Sequence, residues 1–368
     1  MLWSWSMDWG NPAHMANIEA ELSKKSDIVT FLPKANAYNL TYDGLEVCAS
    51  RLMTELEEFL KINKGIRRFS VVGYSLGGLI ARFTIGMMLA KGWFPSRLEP
   101  VNFVTFATPH IGTRSPTRSI RNIVYDTLGG RTLSLTGQQL FLIDVHRNSQ
   151  RPVLQVLASG ESVYYRALAL FPHRSLYANV VGEISVHFYT GAISPSDPFR
   201  RIGDLKVEYM EQEKYEQTIV DLAKTERQKG QVKPSSPPKN WRRIGFTVLI
   251  PLFLVIFLIT SVVQTTRSQL RIRRHAPAEE YEDLDPLLSP VEEVEDMMDV
   301  DKHDPLDLSK NQLQMISSLN SLGWKKYGVH IHKTSHAHSA IISRSAGSSY
   351  SEGRIVIQHF VDNFRMTP

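Results

Sequence analysis

The chain has 368 residues, 42% of them apolar, and a formal charge of +5; this is enough for one large α/β domain with insertions or for two smaller domains, each with a buried core. Its single cysteine, Cys48, excludes an intramolecular disulfide framework, suits a reducing, cytosol-facing compartment and reads as a buried thiol. The basic residues flank an apolar segment instead of forming a stripe, which argues against nucleic acid as a partner and leaves anionic lipid as one.

The start, MLWSWSMDWG, has neither a basic leading region nor a long apolar core, so no secretory signal is expected. Residues 1–232 alternate strand and helix patterns, with strands expected at 28–32, 69–74, 101–107 and 178–182, which favours a mostly parallel sheet. Residues 233–310 change character. KPSSPPKNWRR is a linker, IGFTVLIPLFLVIFLITSVV (244–263) is uncharged, RSQLRIRRH is basic, and the acidic stretch over 276–308 is expected to be disordered. Residues 311–368 regain globular patterning: LQMISSLNSL spaces its apolar residues for one helix face, YGVHIH alternates as a strand, and GRIVIQHFVDNF reads as a closing helix.

The stretch FSVVGYSLGGLIARF, 69–83, carries the first chemical signal. Phe69, Val71 and Val72 make a short apolar strand, good helix formers follow Gly78, and between them Gly73-Tyr74-Ser75-Leu76-Gly77 matches G-x-S-x-G. In that turn the serine is held in a strained backbone, small flanking residues let strand and helix approach, and the hydroxyl stands at a helix N-terminus. The amide of Leu76 would then face a developing oxyanion. An ordinary strand-helix turn with an inert serine would leave the same five residues.

Downstream, VNFVTFATPHIGT is a strand ending at Thr108-Pro109-His110. VGYSLGGLIAR, EPVNFVTFATPHIG, TYDGLEVC, WGNPAHM and YANVVGEISVHFYTGAIS together resemble the fungal serine esterases of lipase type. That family has the α/β-hydrolase fold and includes lipid-droplet phospholipases and monoacylglycerol lipases. The likeness covers residues 9–200 and resumes at 311–364. It implies a triad acid in the segment NVVGEISVHFYT, where Glu183 stands in place of the usual aspartate. The other reading of Glu183 is a solvated loop carboxylate, with Asp197 as the nearest substitute. It also implies a base just before an apolar stretch, a position His338 fills in HSAII. His336 is the runner-up, and His110 is expected to shape the floor of the site. His330 and His332 would share one strand face and suggest zinc, but no HExxH or cysteine ligand accompanies them, so no metal site is assigned.

Relatives in the family carry a strand ending His-Gly-Leu-Trp-Gly-Asn-Pro-x-His-Met, whose backbone supplies an oxyanion donor. This chain keeps Trp-Gly-Asn-Pro-Ala-His-Met without the preceding strand and His-Gly, so an N-terminally truncated hydrolase fold is expected. Met7 or Asp8 falls in the donor region, and a carboxylate is a poor neighbour for an oxyanion. Loss of one donor costs about 100- to 1000-fold in turnover. A shortened gene model of an active enzyme and a weakened paralogue are both open readings.

The twenty uncharged residues of 244–263 are long enough, at about 1.5 Å per residue, to cross a bilayer as a transmembrane helix. A single crossing would put Ser75 and His338 on opposite sides, so a re-entrant dip, insertion in a droplet monolayer, a lid or core helix, or absence of a triad are the alternatives. Basic residues on both flanks suit one face of an anionic surface. Residues 111–175 are expected to form a cap over the site. The resulting expectation is a serine esterase of lipid esters, with a hydrolase core over 1–232 and 311–368, an insertion over 233–310 and no cofactor. It would act on the cytosolic face of an intracellular membrane or lipid droplet. The alternatives are a catalytically weakened membrane scaffold and, last, a metal-dependent hydrolase.

Overall fold

The computed structural model describes residues 2–3, 11–114, 134–146, 149–183, 185–211, 213–215, 217–227, 262–273 and 306–368. The first half runs β1 (Leu2–Trp3), α1 (Ala16–Leu22), β2 (Thr30–Phe31), α2 (Leu45–Ile62), β3 (Arg68–Tyr74), α3 (Leu76–Ala90) and β4 (Glu99–Phe106). After it come α4 (Leu135–Leu140), α5 (Val153–Ala158), α6 (Val163–Ala169), β5 (His173–Asn179), α7 (Phe188–Gly191), β6 (Leu205–Lys206), β7 (Ile219–Val220) and β8 (Glu226–Arg227). The last elements are a helix α8 over 262–273, then α9 (Lys310–Asn320), β9 (Lys325–Val329), α10 (Ala337–Ala340) and α11 (Ser351–Asn363).

The central sheet has the order β3-β4-β5-β9-β7, parallel except for the edge strand β7. Its strands are apolar on both faces because helices cover both, the usual condition of a parallel sheet. Successive side chains feed separate cores. Phe69, Val71, Phe103 and Leu176 join the cluster under α2, α3, α5 and α6, while Val72, Tyr74, Val104, Phe106 and Tyr177 join the one under α1, α10 and α11. Each fully buried aliphatic or aromatic side chain here stabilises the fold by about 1.5–3 kcal/mol. The mostly parallel sheet between two helical layers is that of the α/β-hydrolase fold. β1 pairs in parallel with β2 and lies beside β3, so a two-residue strand stands at the N-terminus, where none was expected.

β9 enters the sheet between β5 and β7 although 145 residues separate Asn179 from Lys325 in sequence, and its register runs Ser175↔Lys325 to Asn179↔Val329. The C-terminal strand therefore lies in the same sheet as β3, β4 and β5. Three sequence expectations shift. The strand placed at 178–182 runs from His173 to Asn179, because Gly182 adopts φ +72 and turns the chain away. The strand in YGVHIH ends at Val329, before its histidines. Of the expected cap, Val153–Ala158 and Val163–Ala169 belong to the main core instead: Tyr164 packs on Phe83 at 4.5 Å, and a Cβ at Gly86 would sit 2.1 Å from its ring. Residues 115–133 lie outside the described residues.

The lead into α5 offers a stability test. Asp144 Oδ2 accepts from the Val153 amide at 2.8 Å, while its other oxygen is buried without a donor. Burial, with a smaller push from Glu46, raises its carboxyl to about 6 from 3.8 against the bond from Val153. Between those values the folded chain keeps a proton the unfolded chain has lost, so stability falls as pH rises through the window and the cost is full above pH 6. Asp144→Asn keeps the acceptor and removes the charge. Its melting temperature is expected to exceed that of the native chain at pH 7.5, a gain of about 2 kcal/mol, and the difference should vanish by about pH 4.

Candidate active site

Ser75 sits between β3 and α3 with φ +53 and ψ −130, a backbone that non-glycine residues rarely adopt. Two neighbours lock it: its amide donates to Phe106 O at 2.9 Å and its carbonyl accepts from Gly78 N at 3.1 Å. The glycines explain how the turn closes. A Cβ on Gly73 would lie 2.5 Å from the Gly78 Cα, and one on Gly78 would lie 2.3 Å from Thr108 Oγ1. Gly78, one residue beyond the pentapeptide, is thus as constrained as Gly73. As the first residue of α3, Leu76 has an N–H without an intrahelical acceptor, so it can serve an anion.

The two residues singled out far downstream converge on this serine. His338, on α10, has its Nε2 3.0 Å from Ser75 Oγ and its Nδ1 3.0 Å from Glu183 Oε2. Glu183 follows β5 on the turn at Gly182 and is nearly buried. Its carboxylate is saturated: Asn179 Nδ2 donates to Oε2 at 2.8 Å, and the amides of Ser185 and Val186 donate to Oε1 at 2.9 and 3.2 Å. Burial works against its charge, but the hydrogen bond and charge of His338 and the bonds from Asn179 and Val186 outweigh it and hold the carboxyl below its ordinary 4.5. The stabilisation from this pairing is therefore full above pH 4.5 and is lost as pH falls through the lowered folded-state value.

Tyr74 fixes the imidazole from the other side. Its hydroxyl donates to the His338 carbonyl at 2.7 Å, and its ring lies 5.1 Å from the imidazole. With Nδ1 donating to Glu183, Nε2 is left unprotonated to accept the Ser75 proton. The arrangement can generate a serine nucleophile.

The other sequence candidates stand elsewhere. Asp197 Oδ1 accepts from Phe199 N at 3.2 Å and caps a short 3-10 helix. His336 is exposed at the start of α10. His330 and His332 stack with centroids 3.7 Å apart, His330 Nδ1 bonding Tyr209 Oη at 2.7 Å and His332 Nε2 donating to Gln217 O at 2.9 Å. Among the described residues no group of three or more His, Cys, Asp or Glu is placed to hold a metal. His110 is fully buried, its Nε2 3.0 Å from Thr105 Oγ1 and its carbonyl accepting from Arg82 Nη1 at 3.0 Å. Burial and the nearby charges of Arg82 and Lys326 push its imidazole far down, so it is neutral. Met7 and Asp8, the expected second oxyanion region, lie outside the described residues. Sequence reasoning missed Asn179, Gly78 and Arg82. The local signal was an amide four residues before Glu183, a doubled glycine and an arginine one turn further along α3.

A family model described as "Putative serine esterase (DUF676)" matches residues 9–197. The chain is 34% identical over 132 residues to "Putative lipase C4A8.10" of Schizosaccharomyces pombe, which is 34% of this chain and 16% of that one. It is 26% identical over 268 residues to "Putative lipase ROG1" of Saccharomyces cerevisiae, 72% of this chain and 36% of that one. To "Putative lipase YDL109C" of the same yeast it is 33% identical over 129 residues, 35% of this chain and 19% of that one. The matched regions span 16–36% of these relatives' own lengths.

Proposed function

This chain belongs to the serine esterase family whose model covers residues 9–197, and from that premise we propose that it hydrolyses carboxylic esters of lipids, phospholipid or acylglycerol, through Ser75, His338 and Glu183. The observation that carries the reading is the hydrogen-bonded line Ser75 Oγ, His338 Nε2, His338 Nδ1, Glu183 Oε2, each link 3.0 Å long. As Ser75 Oγ attacks the ester carbonyl, His338 Nε2 takes its proton and Glu183 stabilises the imidazolium. The tetrahedral oxyanion is met by the Leu76 N–H at the positive end of α3. Collapse breaks the bond to the alkoxide, which leaves as an alcohol with the proton from His338. Water then attacks the acyl-enzyme by the same steps in reverse, releasing the acid and Ser75.

The substrate class follows from the resemblance to lipases, and the proposed place of action is an intracellular membrane or droplet surface on its cytosolic side. Support comes from the flanks of the apolar segment. β7 before it and β9 after it are hydrogen-bonded neighbours, Ile219↔Val329 and Val220↔Gly328, so both belong to one body. Among the described residues no helix is long and apolar enough to cross a membrane, and residues 244–261 lie outside them. Entry from one face keeps Ser75 and His338 together.

A fluorophosphonate is the direct test. The native chain is expected to lose ester hydrolysis in proportion to labelling, with the adduct on the peptide containing Ser75. Folded protein that stays unlabelled would sink the esterase reading in favour of a scaffold, and activity removed by chelator alone would point to metal.

A further inference from the structure

Helix α8 turns mainly polar residues toward the protein and carries three aliphatic ones on its outer side. Its less exposed residues are Gln264, Thr265, Ser268, Arg271 and Ile272. Ser268 Oγ donates to Tyr42 O at 3.2 Å, and Arg271 grips Asp43 with Nη2 at 2.7 Å and Nε at 3.0 Å while Nη2 also donates to Asn39 O at 3.0 Å. On the opposite side Val262, Val263 and Leu270 are 64, 41 and 50% exposed, interleaved with exposed Thr266, Arg267, Gln269 and Arg273. A helix on a water-facing surface turns its apolar stripe inward, whereas α8 leaves Val262, Val263 and Leu270 outward beside two arginines.

Its position is also specific. α2 leads through a short loop into the start of β3, so α2 begins at the carboxyl end of the sheet, the end where Ser75 follows β3. The segment Tyr38–Asp43 that holds α8 immediately precedes α2 and therefore lies at that end. The same hub holds α4: Thr136 Oγ1 donates to Thr41 O at 2.6 Å, and Gln139 Oε1 accepts from Leu45 N at 2.8 Å. Of nine exposed large hydrophobic residues among those described, six fall on these joined elements or directly after them: Tyr38, Ile143, Val145, Val262, Val263 and Leu270. Exposed apolar side chains gathered at one end mark an interaction surface.

We infer that the outer face of α8, with the neighbouring exposed Tyr38, Ile143 and Val145, is a docking surface for anionic phospholipid bilayers that turns the Ser75 end of the sheet toward lipid. Val262, Val263 and Leu270 enter the boundary between headgroups and acyl chains, and Arg267 and Arg273 meet lipid phosphates and carboxylates. Arginine beside exposed aliphatic residues selects an anionic lipid surface over a neutral apolar one. The inference rests on the esterase reading for what the surface delivers to Ser75, but not for the surface itself.

The test uses the full chain. Cys48 is fully buried and its thiol is pushed up by burial, so an introduced cysteine is the only one to label. Leu270→Cys carrying an environment-sensitive fluorophore is expected to shift to the blue with vesicles of phosphatidylcholine plus phosphatidylserine. The same probe at Ile62→Cys, 83% exposed at the far end of α2, should not shift. Arg267→Gln with Arg273→Gln should weaken binding to the anionic vesicles about 30-fold, at about 1 kcal/mol per charge, while hydrolysis of a soluble short-chain ester is unchanged. No shift at Leu270→Cys, an equal shift at both positions, unaltered vesicle binding by the arginine variant, or a shift that follows protein concentration without vesicles would each overturn the surface. A blue shift in a chain that hydrolyses no soluble ester would leave the surface standing and overturn the esterase reading.

Discussion

Glu183→Gln is expected to lower kcat for a soluble short-chain ester by about 10⁴-fold with KM changed by less than about two-fold, because it inverts the proton inventory around His338. Three donors already converge on the carboxylate: Asn179 Nδ2 on one oxygen and the Ser185 and Val186 amides on the other. A glutamine can satisfy the two amides with its single oxygen. Its NH2 then faces Asn179 Nδ2 and His338 Nδ1. Donor meets donor unless His338 moves its proton to Nε2, and that tautomer cannot accept from Ser75 at 3.0 Å. Glu183→Asp retains the charge but shortens the reach to a bond that is 3.0 Å in the native chain, so a smaller loss, about 10- to 100-fold, is expected. Ser75→Ala removes the nucleophile and should fall by about 10⁶-fold, with no fluorophosphonate labelling. Stopped-flow rates on these three variants, with melting temperatures near the native value, check the ordering. Equal activity of Glu183→Gln and the native chain would sink the role given to Glu183.

The elbow was legible because its constraints are local: an apolar strand, small residues where backbones nearly touch, and a helix start. Even there the pentapeptide stopped one residue short, since it is Thr108, on another strand's exit loop, that makes Gly78 indispensable. Glu183 and His338 carried no local signal strong enough to single them out and were reached through family resemblance. They meet Ser75 only because β9 inserts beside β5, a pairing of residues 150 apart that periodicity cannot reveal. α8 was hidden for a different reason. Val262 and Val263 read as the tail of an uncharged run, and the polar residues after them as a basic flank, so the pattern suggested a helix that stops. Ser268 and Arg271 turn inward onto Tyr42 and Asp43, 226 and 228 residues away.

Asp43→Asn is expected to destabilise the folded chain by about 3 kcal/mol, measured by urea unfolding at neutral pH. The Asp43 side chain is fully buried and receives Arg51 Nη2 at 2.7 Å as well as the two nitrogens of Arg271. Removing one partner of a buried ion pair costs about 3–5 kcal/mol. The lower end applies here because Arg51 and Arg271 are 16 and 24% exposed and can recover some hydration. Arg271→Gln should cost less, since Asp43 keeps Arg51, but it should release α8: hydrogen exchange is expected to rise over 262–273 and not over α2. In the double variant the two effects should not add, because both act on one contact. The consequences also reach the site differently. Thr41 and Leu45, on either side of Asp43, hold Thr136 and Gln139 of α4, and the end of α4 holds the loop after β4 through Thr113 N to Leu140 O at 2.8 Å. A hub loosened by Asp43→Asn should therefore lower soluble-ester hydrolysis, whereas Arg271→Gln should spare it and lose only binding to anionic vesicles. If both variants hydrolyse the ester alike and both keep vesicle binding, Asp43 ties α8 down for stability alone.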